Sequence, residues 1–285
     1  MTALAQQLAE LVRRAATELP PDVADALRAA RAAEAPGSPG AAALGTILEN
    51  ADLACAGSVP VCQDTGTPAF WFDLPDGTPT LPLREAVREA VAEATAAGLL
   101  RLNVIEVPSG RQVSSNFAPG SPVIHFRFGP DGTAPRATLL LKGGGSENQS
   151  RQYSLPDDAL GAGRDLEGVR RCVLDAVWRA QGGGCAPGVL GVCVGGERAG
   201  AYACAKEQLL RPLTDASPDP DLAALERRLL DEANALGVGP MGLGGRTTLL
   251  GVKIAALPRV PASYFVTIAY NCWACRRATC ALPGV

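Results

Sequence analysis

Residues 61–66 read Val61-Cys62-Gln63-Asp64-Thr65-Gly66 and place a thiol, an amide, a carboxylate and a hydroxyl one after another. Pro60 precedes the segment and disfavours helix at Val59, so we expect an extended turn that leads into a strand at residues 69–72. Apolar residues on both sides predict that these polar groups lie at the edge of a core. This arrangement is typical of an active site, although a buried turn would give the same pattern.

Two later cysteines stand in similar surroundings. Cys185 follows the run Gly182-Gly183-Gly184, and Cys272 lies in Asn271-Cys272-Trp273-Ala274. Thiolates are the usual protein ligands of iron–sulfur clusters, so three single cysteines on separate turns could converge on one cluster. Ordinary buried thiols are the alternative interpretation.

A zinc site is less well supported than a cluster. Structural zinc favours two close cysteine pairs, and the one C-x-x-C pair here is Cys272 with Cys275. The remaining interior cysteines fall on apolar faces of predicted helices or in a predicted strand, and we interpret them as packing residues. They are Cys55, Cys172, Cys193 and Cys204.

The composition bounds the function classes. The chain has 285 residues, 47% of them hydrophobic, and a net charge of −3, which gives no electrostatic footprint for nucleic acid or an anionic membrane. No apolar run reaches the roughly 18 residues of a spanning helix. Gln6, Gln7 and Glu10 stand where a secretory signal would be apolar, so we expect a cytoplasmic protein with reduced thiols.

Hydrophobic periodicity predicts an α/β protein with mixed sheets flanked by helices and a helical N-terminal portion. We expect one domain over residues 1–285, with a helical portion at 1–57 and a cluster-binding α/β portion at 58–285. The predicted helices lie at residues 4–15, 22–34, about 41–56, 82–97, 166–181, 197–210 and 218–236. The predicted strands lie at 69–72, 123–128, 137–141, 189–194, 249–257 and 264–269, and the turn at 129–132 predicts that the second and third of them form a hairpin.

A glycine run follows one of these strands and reads Lys142-Gly143-Gly144-Gly145-Ser146. Glycines allow the backbone to approach a ligand and to present N–H groups to an anion. The run is not a P-loop, because the lysine precedes the glycines. A flexible turn is an equally good interpretation.

Three arginines are candidates for contact with anions. Arg101 stands between apolar residues and could bind a carboxylate with two hydrogen bonds, although a surface arginine is commoner. Arg276 and Arg277 could serve substrate anions or form a solvated end. His125 is the sole histidine, alternates with phenylalanines, and is interpreted as structural.

A set of these segments runs in one order along nearly the whole chain: Cys62-Gln63-Asp64-Thr65-Gly66, Leu100-Arg101, Lys142-Gly143-Gly144-Gly145-Ser146, Cys185 with Pro187, Gly195-Gly196, residues 237–248, and Asn271-Cys272-Trp273-Ala274-Cys275-Arg276-Arg277. In this combination the sequence resembles the α subunit, or α region, of the iron–sulfur hydro-lyases that include class I fumarase and L(+)-tartrate dehydratase. The resemblance implies a 4Fe–4S cluster held by Cys62, Cys185 and Cys272, with one iron left open as a Lewis acid.

The same resemblance implies roles for the polar residues. Gln63 and Asp64 would lie beside the substrate, with Asp64 in proton transfer. Arg101 would hold a substrate carboxylate, and the backbone of Gly143, Gly144 and Gly145 would be a second anion contact. The substrate class is a four-carbon dicarboxylate, with fumarate and malate first and tartrate next.

Two departures from the family's pattern affect these expectations. The family's second half, a β subunit or C-terminal region that supplies further arginines, a lysine and a threonine, has no counterpart here. We therefore expect a β-type partner in a hetero-oligomer of the α2β2 kind. The fumarase pattern also has a histidine where this chain has Val260, after Arg259.

Two other functions compete with a hydro-lyase. A non-catalytic iron–sulfur sensor would need the three cysteines alone, and a subunit that stabilises a partner would need none of them. Retention of Asp64, Arg101 and the glycine run favours the enzyme.

Overall fold

A computed structural model describes all 285 residues of the chain. Its regular elements, in chain order, are α1 (Ala3–Thr17), α2 (Pro21–Ala33), α3 (Pro39–Gly57), β1 (Thr67–Pro75), α4 (Leu81–Ala96), β2 (Val123–Gly129), β3 (Arg136–Lys142), α5 (Gly144–Glu147), β4 (Arg151–Ser154), α6 (Leu166–Ala180), β5 (Gly188–Gly195), α7 (Arg198–Gln208), α8 (Pro220–Ala235), β6 (Leu249–Leu257), β7 (Phe265–Asn271) and β8 (Arg277–Ala281). Short 3-10 turns cover Gln181–Gly184 and Pro240–Gly242. The predicted α/β class with mixed sheets and a helical N-terminal portion is confirmed.

The chain forms two compact units, each built from separated segments. The first unit comprises Met1–Pro20, Asn50–Gly144 and Arg276–Val285, and the second comprises Pro21–Glu49 and Gly145–Cys275. The organisation as one domain with portions at 1–57 and 58–285 stays a prediction. None of the helices is long and apolar enough to cross a membrane.

The first unit contains a four-stranded sheet in the order β2-β1-β3-β8. β1 runs parallel to β2 and antiparallel to β3, and β8 runs antiparallel to β3. Alternate residues of a strand point to the same face, so Phe70, Phe72 and Leu74 share one buried core with α1 and α4. Helix α1 supplies Leu8 and Val12 to that core.

The hairpin predicted for residues 123–141 is wrong. β2 and β3 do not pair, because β1 lies between them and pairs with both. The turn after β2 was recognised from its glycines, but turn residues specify a reversal of the chain and not which strand is the neighbour. Strands β4 and β8 were also not predicted, since each is short and carries polar residues.

The second unit contains a sheet in the order β4-β7-β5-β6, with β5 and β6 parallel and the other pairs antiparallel. Every residue of β5 is buried, as its continuous apolar run predicted. Leu190 and Val192 share a core with α6 and α8. Gly191 faces α7 instead, because a Cβ there would collide with the carbonyl oxygen of Ala205.

The cysteines interpreted as packing residues divide into two groups. Cys172 and Cys193 are buried, as predicted, and Cys204 is partly buried. Cys55 is exposed, so that interpretation is wrong for Cys55. It lies in the last turn of α3, where Ala56 and Gly57 are exposed as well and Ala54 is the residue that is buried.

Candidate functional site

The loop at residues 61–66 lies in the first unit, directly before β1. Gly66 has φ +79°, and a Cβ there would come within 2.9 Å of the carbonyl carbon and oxygen of Lys142. Glycine is therefore required for the loop to lie against the end of β3. Cys62 is partly buried and Gln63 is exposed.

Asp64 binds two backbone N–H groups with its two carboxylate oxygens. The N–H of Gly66 donates to Oδ1 at 3.0 Å, the short-range contact by which aspartate stabilises a turn. The N–H of Gly144 donates to Oδ2 at 2.7 Å. Asp64 thus links the cysteine loop to the glycine run, and the carboxylate of the protein itself occupies the Gly144 N–H that we expected to contact an anion.

The three glycines of the run differ in their surroundings. Gly143 is buried, whereas Gly144 is exposed. Gly145 is also exposed and belongs to the second unit, at the start of its second segment.

Arg101 is exposed and is joined to the cysteine loop through Thr65 and Asn103. Its backbone N–H donates to Thr65 Oγ1 at 3.2 Å, and its Nε donates to Asn103 Oδ1 at 2.6 Å. Asn103 Nδ2 in turn donates to Thr65 Oγ1 at 3.1 Å. The structure therefore brings Arg101, Asp64 and Gly144 to one part of the first unit.

Asn116 forms hydrogen bonds to Asn103 and Arg101 of this network and was not recognised in the sequence. It is buried, its Oδ1 accepts the N–H of Asn103 at 3.0 Å, and its Nδ2 donates to the carbonyl of Arg101 at 3.0 Å. Nothing in the local sequence distinguishes Asn116 from an ordinary loop asparagine. Asn103 was not identified from the sequence either, although its place two residues after Arg101 could have indicated it.

Arg276 is the largest fully buried side chain of the protein. Its Nε and Nη1 have no hydrogen-bond partner. The interpretation of Arg276 as part of a solvated end is therefore wrong. Burial of two guanidinium nitrogens that have no hydrogen-bond partner is costly, so Arg276 is a candidate for contact with an anion.

In the second unit, Cys185 follows the 3-10 turn at Gln181–Gly184 and is exposed. Its backbone is left-handed, with φ 54° and ψ 63°, and its N–H donates to the carbonyl of Gly182 at 3.0 Å. Positive φ is uncommon for residues other than glycine and tends to occur at functional sites. Gln181 and Met241 also have positive φ, and the N–H of Met241 donates to the carbonyl of Ala186 at 2.8 Å.

Cys272 lies just after β7 and close to Cys185. The N–H of Trp273 donates to the carbonyl oxygen of Cys185 at 3.2 Å. The ring of Tyr270 packs against Gly184 and Gly188, where any Cβ would collide with it. The second unit thus holds two of the three predicted cluster ligands together, and the first unit holds the third, Cys62.

The environment of Tyr270 keeps its phenol neutral. Burial raises the pKa of Tyr270 well above its usual range, and the charges of Cys272 and Cys185 raise it further. Tyr270 therefore packs as a neutral ring against Gly184, next to Cys185, from its position two residues before Cys272. Sequence reasoning missed it, although it stands two residues before Cys272.

The residues of the second unit fit an iron–sulfur cluster by their chemistry. Asn271, directly before Cys272, is fully buried and its Nδ2 has no acceptor. Its Oδ1 accepts a hydrogen bond from Ser146 at 3.4 Å. The amide N–H groups of Asn271 could donate to a cluster sulfur, and hydrogen bonds to the sulfurs help to set the reduction potential of such clusters.

A site for a single metal ion is not supported. No group of three or more His, Cys, Asp and Glu side chains could hold one ion. A cluster differs in this respect, because each thiolate binds a different iron.

Comparison with known proteins agrees with this chemistry. The sequence model of a family described as fumarate hydratase (fumerase) matches residues 5–281. A putative class I fumarate hydratase of Geobacillus stearothermophilus is 44% identical over 281 residues, which cover 97% of this chain and 54% of that protein. The chain therefore spans about half the length of this relative.

Two relatives have names of a second kind. A putative L(+)-tartrate dehydratase subunit alpha of Methanocaldococcus jannaschii is 36% identical over 94% of each chain. The L(+)-tartrate dehydratase subunit alpha of Escherichia coli K12 is 30% identical over 97% of this chain and 89% of its own. These comparisons confirm the resemblance inferred from the sequence.

Proposed function

The chain belongs to the fumarate hydratase family, and we propose that it is the α-type part of an iron–sulfur hydro-lyase. The reaction would be the reversible addition of water to a four-carbon dicarboxylate, with fumarate and malate as the first candidates. The observation that carries the proposal is the hydrogen-bonded set formed by Asp64, Gly144, Thr65, Asn103 and Arg101 beside Cys62. The set places a carboxylate and a guanidinium near a predicted cluster ligand, and a protein that only carried a cluster would require neither side chain.

Cys62, Cys185 and Cys272 would hold the 4Fe–4S cluster, and its open iron would supply a Lewis acid that makes hydroxide a feasible leaving group. Arg101 would bind one carboxylate of the substrate with two parallel hydrogen bonds. Asn103 already accepts from its Nε, which fixes the guanidinium near the loop. Gln63, exposed beside Cys62, would contact the substrate directly.

Asp64 would transfer the proton at the carbon next to the substrate's other carboxylate. Two backbone N–H groups fix its orientation, and one of them, from Gly144, belongs to the glycine run. The negative charge that develops on this carbon must be stabilised as it forms. Within the glycine run, the backbone at Gly143 and Gly145 would serve this purpose, while the N–H of Gly144 holds Asp64.

Tartrate is the second candidate substrate. Two of the relatives described above carry tartrate dehydratase names. Val260 stands where the fumarase pattern has a histidine, and its side chain is 63% exposed. A substrate with an additional hydroxyl would encounter a different environment there than in a fumarase.

We further propose that a β-type partner completes the active site, in an α2β2 assembly located in the cytoplasm. Nearly half of the class I relative has no counterpart here, and the tartrate relatives are named as alpha subunits. This missing half would provide the additional arginines, the lysine and the threonine of the family pattern.

The test compares the isolated chain with the co-expressed pair after anaerobic reconstitution. We expect the chain alone to bind its cluster but to turn over neither fumarate nor tartrate, and the pair to turn over one of them. Full activity of the isolated chain would refute the two-part proposal. A pair that keeps its cluster and still has no activity on either compound would favour the sensor or the partner-stabilising subunit.

A further inference from the structure

Three large apolar side chains of the second unit are exposed. Trp178 is 56% exposed, Met241 is 40% exposed and Leu243 is 56% exposed. Single exposed apolar residues are normal on a protein surface, but a group of them marks an interaction site. We call these three residues the Trp178 patch.

The segments that carry the patch contact one another. Trp178 lies in the last turn of α6, and its carbonyl accepts from Gln181 Nε2 at 2.6 Å. A Cβ on Gly182 would lie 2.5 Å from the carbonyl oxygen of Met241, and one on Gly242 would lie 2.7 Å from Gly182 Cα. The 3-10 turn that follows α6 and the 240–243 loop are thus in backbone contact.

The backbone holds the patch in an unusual conformation. Met241 has φ 54° and ψ 17°, and Gln181 has φ 44° and ψ −135°. Residues other than glycine occupy these regions only where the surrounding structure enforces it. The hydrogen bond from the N–H of Met241 to the carbonyl of Ala186 provides part of that restraint. The backbone that carries the exposed Met241 side chain is therefore held in place.

We propose that the Trp178 patch is the surface on which the β-type partner docks, an inference that rests on the proposed function. The remaining 46% of the class I relative has no counterpart in this chain. A β-type partner that corresponds to this part would need a surface on the chain on which to dock. Ala186, which anchors Met241, follows Cys185 directly. A partner on the patch would therefore lie beside a cluster ligand. Tryptophan and methionine are enriched in interface cores, and tryptophan is a frequent hot spot.

The experiment measures the dissociation constant between the anaerobically reconstituted chain and the β-type chain of the same organism. We expect Trp178→Glu and Leu243→Glu each to raise the dissociation constant at least tenfold. Val107→Glu is the matched control, because Val107 is 92% exposed and lies in the first unit, and we expect it to have no effect. Iron content and unfolding temperature of each variant show that the chain remains folded.

The possible outcomes separate the two proposals. If the unsubstituted chain does not bind the β-type chain, the proposed function fails. If it binds, and Trp178→Glu and Leu243→Glu bind equally well, the docking surface is wrong. If sedimentation shows that the chain alone forms a dimer which Trp178→Glu dissociates, while β-type binding persists, the occupant is a second copy and the inference is overturned.

Discussion

Asp64 holds two backbone N–H groups, and a substitution there therefore affects both chemistry and loop geometry. Asp64→Asn retains one carbonyl oxygen and the size of the side chain but cannot exchange a proton. If Asp64 transfers the proton, we expect the assembled enzyme to lose roughly 10²–10⁴-fold in kcat, the usual contribution of a positioned acid or base. The cluster spectrum and its response to substrate are expected to remain.

The control for this variant is Asp131→Asn, in the exposed turn after β2, which we expect to leave kcat unchanged. A loss confined to KM, with kcat preserved, would mean that Asp64 only positions the loop. Loss of the cluster in Asp64→Asn would make Asp64 a structural residue.

Asp73 provides a prediction about pH. Burial, the largest single influence, would raise its pKa, but hydrogen bonds from Arg136 at 2.5 Å and Arg127 at 2.6 Å, with the charges of both, bring the pKa below its ordinary value. A carboxyl whose pKa is lowered by folding stabilises the protein above its unfolded pKa, which is about 4. That contribution is lost as pH falls through the folded pKa.

We therefore expect Asp73→Asn to destabilise the protein at pH 7 and to lose this effect progressively below about pH 4. Unfolding temperatures of both proteins between pH 7 and the acid limit of folding measure the difference. A difference that stays constant across that range would show that the two ion pairs contribute nothing to stability.

At the level of the elements, the Gly182–Cys185 loop is fixed by the close approach of Gly184 to Tyr270 on β7. A Cβ on Gly184 would collide with the Tyr270 ring, whose burial leaves it no space to move. We expect Gly184→Ala to separate the Cys185 and Cys272 loops and to reduce the iron bound on reconstitution severalfold.

The neighbouring Gly183→Ala is a matched control for this prediction. A Cβ on Gly183 would lie 3.3 Å from the amide nitrogen of the Gln149 side chain, whose end can move at little cost. We expect this variant to bind iron as the unsubstituted chain does. Equal loss in both variants would point to a general need for glycine flexibility and not to the Tyr270 contact.

The same elements mark what could be predicted from sequence. Apolar periodicity located the helices and most strands within a few residues, because burial of one face imposes that period. The position of β1 between β2 and β3 could not be predicted, since the choice of neighbouring strand depends on contacts between distant residues. Motif order supplied Asp64 and Arg101, whereas Asn116 and Tyr270 act through contacts that no local pattern encodes.

For the whole molecule, the three proposed cluster ligands, Cys62, Cys185 and Cys272, are far apart in sequence. The spacing of the cysteines alone does not predict that three such distant residues bind one cluster. That prediction depends on the family pattern. The chain has nine cysteines, so ligands must be separated from thiols that only pack.

The final prediction separates them by substitution. Anaerobically reconstituted protein is expected to bind about four irons per chain, and serine at position 62, 185 or 272 is expected to abolish binding, because the hydroxyl of serine is a poor ligand for iron in such clusters. Cys275→Ser is the closest control: Cys275 stands three residues after Cys272 but is fully buried, with Sγ 4.0 Å from the carbonyl of Leu209. Its burial fits packing, so we expect Cys275→Ser to keep the cluster at some cost in stability. If Cys275→Ser loses the irons while Cys272→Ser retains them, the third ligand is Cys275, and the two loops of the second unit must rearrange around it.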